Sequence, residues 1–456
     1  MTGTSATRAE MRVSDPRACA KRRLAPGNVV PILVTLLCGL ASARFLFQPG
    51  FPYSDDGLNH LIQLTSFRIS LEHGDFYPRW SPPLNQQYGS PLFSYYAPLP
   101  FYLAEIGAVL GLDVTASLRL VFAIAVLLAG LTMYLLGTEL GGRPVGLASG
   151  VAFVSMPYLL HDVYSRAELG ETVALALPPA ILFGLARYAR TRARGWLGLA
   201  AVGVALLPLT HNISALMDLP FVAVWMLILA LVAAGGESPR PVLATAGPFL
   251  AALVIGLGLS AFFWLPAFAE RGFVELQRTA ASALVHDELM KQPWPPIETS
   301  FLFDYRYDLP HQFPFLPGFV QVALAAAGMV VYAIACLRVP ARRSRLWLLA
   351  LVVVAGFVVF LHGPHSEWVW THVPLMSYLQ FPYRLLGLFG LIASLFAGFL
   401  VLAFPRGVWR ALAAAAVGSI ALVVGLANLH PSMRGGVPAD FDVRSLLVTE
   451  AATANL

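Results

Sequence analysis

Charge is what this sequence lacks. Only 12% of its 456 residues are Asp, Glu, Lys or Arg, about half of the roughly 25% usual in a soluble globular chain. That excludes an ordinary soluble enzyme. Lysine is nearly missing, with Lys21 and Lys291 the two among 30 basic residues. This arginine bias fits a GC-rich bacterial genome. Cysteine is scarce as well. Cys19, Cys38 and Cys336 lie far apart with no metal-ligand spacing, which argues against a disulfide framework or a zinc site. No internal repeat of the transporter kind appears, and no low-complexity tract.

Apolar residues take the place of charge. They make up 57% of the chain, and the mean hydropathy is +0.69. The chain reads as an all-α polytopic membrane protein. Its net charge of +5 comes in short, dispersed arginine clusters, a pattern that suits loops beside anionic lipid and not a nucleic-acid surface.

Apolar runs of about 17–25 residues mark spans. They fall near 28–48, 117–139, 144–160, 171–189, 196–213, 215–235, 242–266, 317–337, 345–361, 384–404 and 409–428, about eleven in all. Ala41-Ser42-Ala43 imitates a signal-peptidase site, but the run continues through Phe45-Leu46-Phe47 to spanning length. The stretch 98–112 is apolar too, yet short and Pro-rich at its start. If it does not span, the arginine-rich loops at 140–143, 187–195, 236–241, 338–345 and 405–410 share one face with the basic tail 1–27. The positive-inside bias favours that arrangement. Segment 98–112 is therefore expected to be a re-entrant or juxtamembrane helix. The transmembrane domain then covers 28–428. Its outer loops are 49–116, the turn 165–171, 267–316 and 362–383, with a short tail 429–456 expected outside.

Acids in so uncharged a chain are informative. In "SDDGLNH", Asp55 and Asp56 are adjacent, and His60 shares a helix face with Asp56 at i, i+4. Capping a helix start is one use for such a pair. General-base chemistry is another. The run Leu58, Leu61, Ile62, Leu64, Phe67, Ile69 and Leu71 suits a helix lying on a membrane surface. "YPRW" (Tyr77, Pro78, Arg79, Trp80) precedes a Tyr- and Pro-rich stretch holding Asn85, Gln86 and Gln87. It suits either an interfacial aromatic belt or a carbohydrate surface. "SRAELGE" puts Arg166, Glu168 and Glu171 in one tight turn, and His211 lies in the short link "THN". Gln380 and Arg384 end "PLMSYLQFPYR" at the mouth of a span. An arginine there either snorkels or clamps a phosphate at headgroup depth.

Taken in order, "D-G-x-x-H", "YPRW", "GSPLFSYYAPLPFYL", "RAELGE", "THN" and "P-L-x-x-x-L-Q-F-P-Y-R" resemble the bacterial 6-pyruvoyl-tetrahydropterin-synthase-related membrane family. More broadly they resemble the GT-C superfamily of polyprenyl-phosphate-dependent glycosyltransferases, over roughly residues 28–405. The chain carries no soluble pterin-enzyme pattern. The resemblance implies an essential Asp in the first outer loop, here Asp56 or Asp55, and a second acidic site, here Glu168 or Glu171. It also implies juxtamembrane helices in the first outer loop. The expected activity is inverting transfer of a sugar from a polyprenyl-phosphate donor to a glycan, lipid or protein acceptor, at the outer face of a bacterial plasma membrane. Asp56 is the expected base, with Asp55 orienting it. His60, Arg79, Trp80, Arg166, Glu168, Glu171, His211, Gln380 and Arg384 are the expected substrate contacts. No cofactor is required. A divalent cation, Mg or Mn, stays open, since paired carboxylates suit hard cations. A flippase of lipid-linked sugars and a scaffold of an envelope-polysaccharide assembly are the alternatives.

Overall fold

The computed structural model describes residues 29–233, 239–274, 316–338 and 342–434. The basic tail, most of the loop expected at 267–316 and the tail beyond 434 fall outside these residues. The fold is a helical bundle.

The chain enters through α1 (Val29–Ser42) and a 3-10 turn at Arg44–Phe47. The first loop then builds α2 (Gly57–Glu72), the single-turn α3 (Leu92–Tyr95) and α4 (Leu99–Val109). The bundle proper follows as α5 (Val114–Gly141), α6 (Arg143–Val154), α7 (Pro157–Tyr164), α8 (Leu169–Ala174), α9 (Leu177–Thr191), α10 (Arg194–Thr210), α11 (Asn212–Ala233), α12 (Pro239–Leu259) and α13 (Ala261–Ala269). It closes with α14 (Phe319–Arg338), α15 (Arg342–Leu361), α16 (Glu367–His372), α17 (Leu386–Phe399) and α18 (Val408–Leu426). Seven described helical stretches are long and apolar enough to cross a membrane, or nine if each of two bent pairs counts as one span. Each of the eleven expected spans lies on such a stretch or on α1 or α10. Those two helices have 14 and 17 residues, short of the roughly 20 a bilayer requires. Helix α4 has 11 residues, a length of about 17 Å, and does not reach across.

The long helix α5 organises the bundle. Its start is capped by Asp113, whose carboxylate accepts the Ala116 N–H at 2.6 Å. Twenty-eight residues carry it about 42 Å. At its far end the buried Glu139 takes Arg187 at 2.8 Å and Arg190 at 2.5 Å, both from α9. Chain alternation gathers Arg143, Arg187, Arg190, Arg192, Arg194, Arg338, Arg406 and Arg410 at this end. The acid pair 55–56 lies at the other.

Helix α2 departs from the surface role its sequence suggested. Leu61, Leu64 and Phe67 are buried, with Phe67 edge-on to Phe93 at 5.1 Å and to Tyr102 at 4.9 Å. Arg68 on α2 also pairs with Glu105 on α4 at 3.1 Å. The first loop thus has its own small aromatic core, and its helices cover the bundle end. A short antiparallel pair, Phe51–Pro52 with Met433–Arg434, ties the exit of α18 to the approach to Asp55.

Close helix contact sets a strict size limit at one position. A side chain on Gly328 of α14 would put its first carbon 1.7 Å from the Phe396 carbonyl oxygen on α17. Gly328→Ala should destabilise the bundle by about 3 kcal/mol or more. Gly247→Ala, on an open face of α12, should be neutral or slightly stabilising. Thermal denaturation in detergent checks both.

Candidate active site

The site begins at the bend between α7 and α8. Four residues connect these helices, and Ala167 among them has φ of 50° while fully buried. A non-glycine residue in the left-handed region costs about 1–2 kcal/mol. The backbone here turns tightly enough to send Arg166 and Glu168 both inward. Gly170 lets α8 approach the end of α10, since a side chain there would meet the Thr210 carbonyl at 2.9 Å. These two local devices bring "RAELGE" against His211.

Arg166 is 2% exposed. Its Nη1 donates to Asp162, to Glu171 Oε2 at 3.0 Å and to the Tyr158 hydroxyl at 3.3 Å, and the guanidinium lies 5.1 Å from the Tyr383 ring. Tyr158 in turn donates to Glu171 Oε1. Arg384 reaches the same Glu171 Oε2 at 3.2 Å and donates to Gln380 Oε1 at 3.4 Å. Buried charges this close repay their desolvation only when each has a partner, and Glu171 serves both arginines.

Glu168 forms the second half of the site. Its Oε2 lies 3.5 Å from His60 Nε2 and its Oε1 3.6 Å from His211 Nε2. His211 Nδ1 accepts the Ser214 N–H at 3.2 Å, and its Nε2, on the Glu168 side, lies 3.4 Å from Arg384 Nη1. The Leu169 N–H donates to His60 Nε2 at 3.2 Å, and His60 Nδ1 lies 3.1 Å from Gln63 Oε1. Burial would raise the Glu168 carboxyl, but the His60 and His211 rings and Arg166 hold it well below the usual carboxylate range. Glu168 is a fixed anion, not a proton acceptor.

Asp55 and Asp56 lie along this turn. The Asp55 N–H donates to the Ser165 carbonyl at 3.1 Å, and the Asp56 N–H to the Arg166 carbonyl at 2.8 Å. Asp56 occupies the N-cap position of α2, yet its side chain makes no capping hydrogen bond. The capping use of this pair is therefore not realised by Asp56. Partial desolvation and then the charge of Glu168 raise its carboxyl pKa, while His60, Arg166 and Arg384 pull it down. Asp55, nearer solvent, is raised to about 6 by partial burial and by Asp56. Tyr96 borders the pair. Its ring lies 6.1 Å from that of His60, and burial together with Glu168 and Asp56 pushes its phenol far up, leaving a neutral hydroxyl donor.

Nine of the eleven expected site residues thus gather here: Asp55, Asp56, His60, Arg166, Glu168, Glu171, His211, Gln380 and Arg384. The other two do not. Arg79 pairs with Glu270 at 2.6 Å, both about 40% exposed. Trp80 is half exposed and packs over Gly89. Tyr96, Tyr158, Asp162 and Tyr383 escaped sequence reasoning. Asp162 had a legible signal, an acid four residues before Arg166 inside an apolar run. Among the described residues no three His, Cys, Asp or Glu side chains are arranged to hold a metal ion. Asp55 and Asp56 provide two hard oxygen ligands, so a cation there would take the rest from water or substrate.

Two substitutions separate structural from chemical roles. Arg166→Met should cost about 3–5 kcal/mol, because Asp162 and Glu171 stay buried without their cation. Asp56→Asn should change stability by less than about 0.5 kcal/mol, since no capping bond is lost. Denaturation of each variant against wild type measures both.

Comparison with known proteins agrees with this architecture. Residues 93–432 match the 6-pyruvoyl-tetrahydropterin synthase related domain, described as a membrane protein. The match includes Arg166, Glu168, Glu171, His211, Gln380 and Arg384, and begins after Asp55, Asp56 and His60. An uncharacterized protein of Lactococcus lactis subsp. cremoris (strain MG1363) is 22% identical over 243 residues, which is 52% of this chain and 38% of the relative. The archaeal oligosaccharyltransferase AglB from Archaeoglobus fulgidus, solved with an inhibitory peptide and a dolichol-phosphate, is similar in fold. It matches with a TM-score of 0.50 and 14% identity over 94% of this chain and 56% of its own. ArnT from Cupriavidus metallidurans bound to undecaprenyl phosphate matches with a TM-score of 0.44 and 15% identity, over 93% of this chain and 69% of its own. The chain therefore spans little more than half the length of the archaeal enzyme and about two-fifths of the lactococcal relative. With three quarters of its length inside one family match, this chain belongs to the 6-pyruvoyl-tetrahydropterin-synthase-related membrane protein family.

Proposed function

We propose that the protein is a polyprenyl-phosphate-dependent glycosyltransferase with Asp56 as its general base. The observation that carries this reading is the Asp56 carboxylate. It stands at a helix start without capping it, beside a buried array of Glu168, Glu171, Arg166, His211 and Arg384. A GT-C fold supports the reaction class, and the dolichol-phosphate held by AglB supports a lipid-linked donor.

In the proposed reaction, an acceptor hydroxyl lies within hydrogen-bond reach of Asp56 and gives it the proton. The acceptor oxygen bonds to the anomeric carbon from the face opposite the phosphate. The bond from that carbon to the phosphate oxygen breaks, and polyprenyl phosphate leaves with the electron pair. Configuration inverts in this single displacement. Asp55 orients Asp56. Arg384, held in place by Glu171 and Gln380, supplies positive charge toward the leaving phosphate. Tyr96 offers a neutral donor to a sugar oxygen. If a divalent cation such as Mg or Mn takes part, Asp55 and Asp56 hold it, and it would neutralise phosphate charge.

The site end lies away from the arginine-rich end, and the positive-inside bias supports a reaction on the outer face, in our reading that of a bacterial inner membrane. The acceptor is then a glycan, lipid or protein of the envelope.

Purified protein supplied with radiolabelled polyprenyl-phosphate sugars and envelope acceptors should release polyprenyl phosphate. Asp56→Asn should lower the rate by about 10²–10⁴-fold, and wild-type rates for Asp56→Asn and Asp55→Asn alike would sink the reading. Asp55 and Asp56 both carry raised pKa values, so their basic forms are lost as pH falls. The rate should rise with pH from the acid side, through about 6 if Asp55 is the base, and a rate that does not fall on acidification would count against either aspartate as base.

A further inference from the structure

One carboxylate lies deeper than the network. Asp218 belongs to α11, one of the membrane-crossing helices, and is only 6% exposed. His211, Ser214 and Asp218 follow at intervals of three and four residues. They form one polar stripe along the helix, starting at the His211 contact with Glu168. Among the described residues Asp218 has no hydrogen-bond or ion-pair partner. It lines a small cavity together with Ser214, Glu171, Arg384 and apolar residues such as Leu388 and Leu391.

An unpartnered carboxylate inside a span is costly, and such residues mark pathways and sites. The cavity holds about one water-sized group. Its chemistry narrows what that group is. A cation would meet Arg384, and an anion would meet Glu171 and Asp218. Arg384 also keeps its Nε without a hydrogen-bond partner. A hydroxyl answers both sides, because it donates to a carboxylate and accepts from a guanidinium N–H.

We propose that this cavity is a hydroxyl-recognition subsite in which Asp218 receives one hydroxyl of a sugar substrate. Naming a sugar as the source rests on the transfer reading above. Discrimination should be strong, since a deoxy analogue would leave buried polar groups unpaired. Asp218 is then a specificity-determining residue.

The test uses the full chain in lipid nanodiscs as wild type, Asp218→Asn and Asp218→Leu. The probes are polyprenyl-phosphate hexoses and their monodeoxy analogues, read both by direct binding and by turnover. Wild type should prefer one hydroxylated donor over its deoxy partner by about tenfold or more. Asp218→Leu, which fills the cavity with an apolar side chain, should abolish that preference while its Tm equals or exceeds that of wild type. A lower Tm for Asp218→Leu would make Asp218 a structural residue and overturn the proposal. An unchanged preference, or none in wild type because the cavity takes water alone, overturns it while turnover leaves the transfer reading intact. A binding preference that depends on Asp218 without any turnover sustains the subsite and removes the transfer reading.

Discussion

A buried guanidinium needs carboxylates, and Arg166 has gathered them. Asp162 and Tyr158 reach it from α7, Glu171 from α8. Glu171 then holds Arg384, which draws in the 3-10 turn before α17. Each of these charges would cost several kcal/mol if left alone in the low-dielectric interior. The network therefore fixes the turn around Arg166 against Arg384, 213 residues beyond Glu171. The position of His211, the bend at Ala167 and the placement of the 55–56 pair all follow from it.

The acids around this network divide by environment. Glu168, between two imidazoles and Arg166, is held ionised. Asp55 and Asp56 are both raised, first by burial, and then by Asp56 for Asp55 and by Glu168 for Asp56. Neighbouring carboxylates pushed in opposite directions are the pattern that assigns one group to fixed charge and another to proton transfer. Ala167 in the left-handed region and Asp56 at an unused cap position are both local costs. They fall where chemistry needs them, while the bundle around them follows ordinary packing rules.

The two ends of the bundle contrast. At the far end, Glu139 takes two arginines that remain partly exposed, an arrangement that ties α5 to α9 near solvent. At the site end the ionic contacts are dry, shared and linked to neutral hydroxyls. The first loop closes over that end through its own aromatic cluster of Phe67, Phe93 and Phe101, and the Met433–Arg434 strand fastens it from the other terminus.

The apolar runs were legible without a structure because spanning a bilayer is a local demand. Twenty apolar residues are needed whatever surrounds them, and arginine placement separates 98–112 from the spans for the same reason. The tight turn "SRAELGE" was legible too, since three charges in a short loop of an uncharged chain require partners. Which partners was not legible. Tyr158 looked like part of an apolar span, α2 looked like a surface helix, and Arg79, expected among the substrate contacts, pairs with Glu270, 191 residues away. Pairing between distant segments depends on how helices stack, and one-dimensional spacing carries no record of that. The sequence alone determined a helical membrane bundle with scarce acids at one end. Only the tertiary structure decided that Asp56 stands at a helix start without capping it, beside a buried ion network, because only burial and distance tell a bonded carboxylate from one that is not.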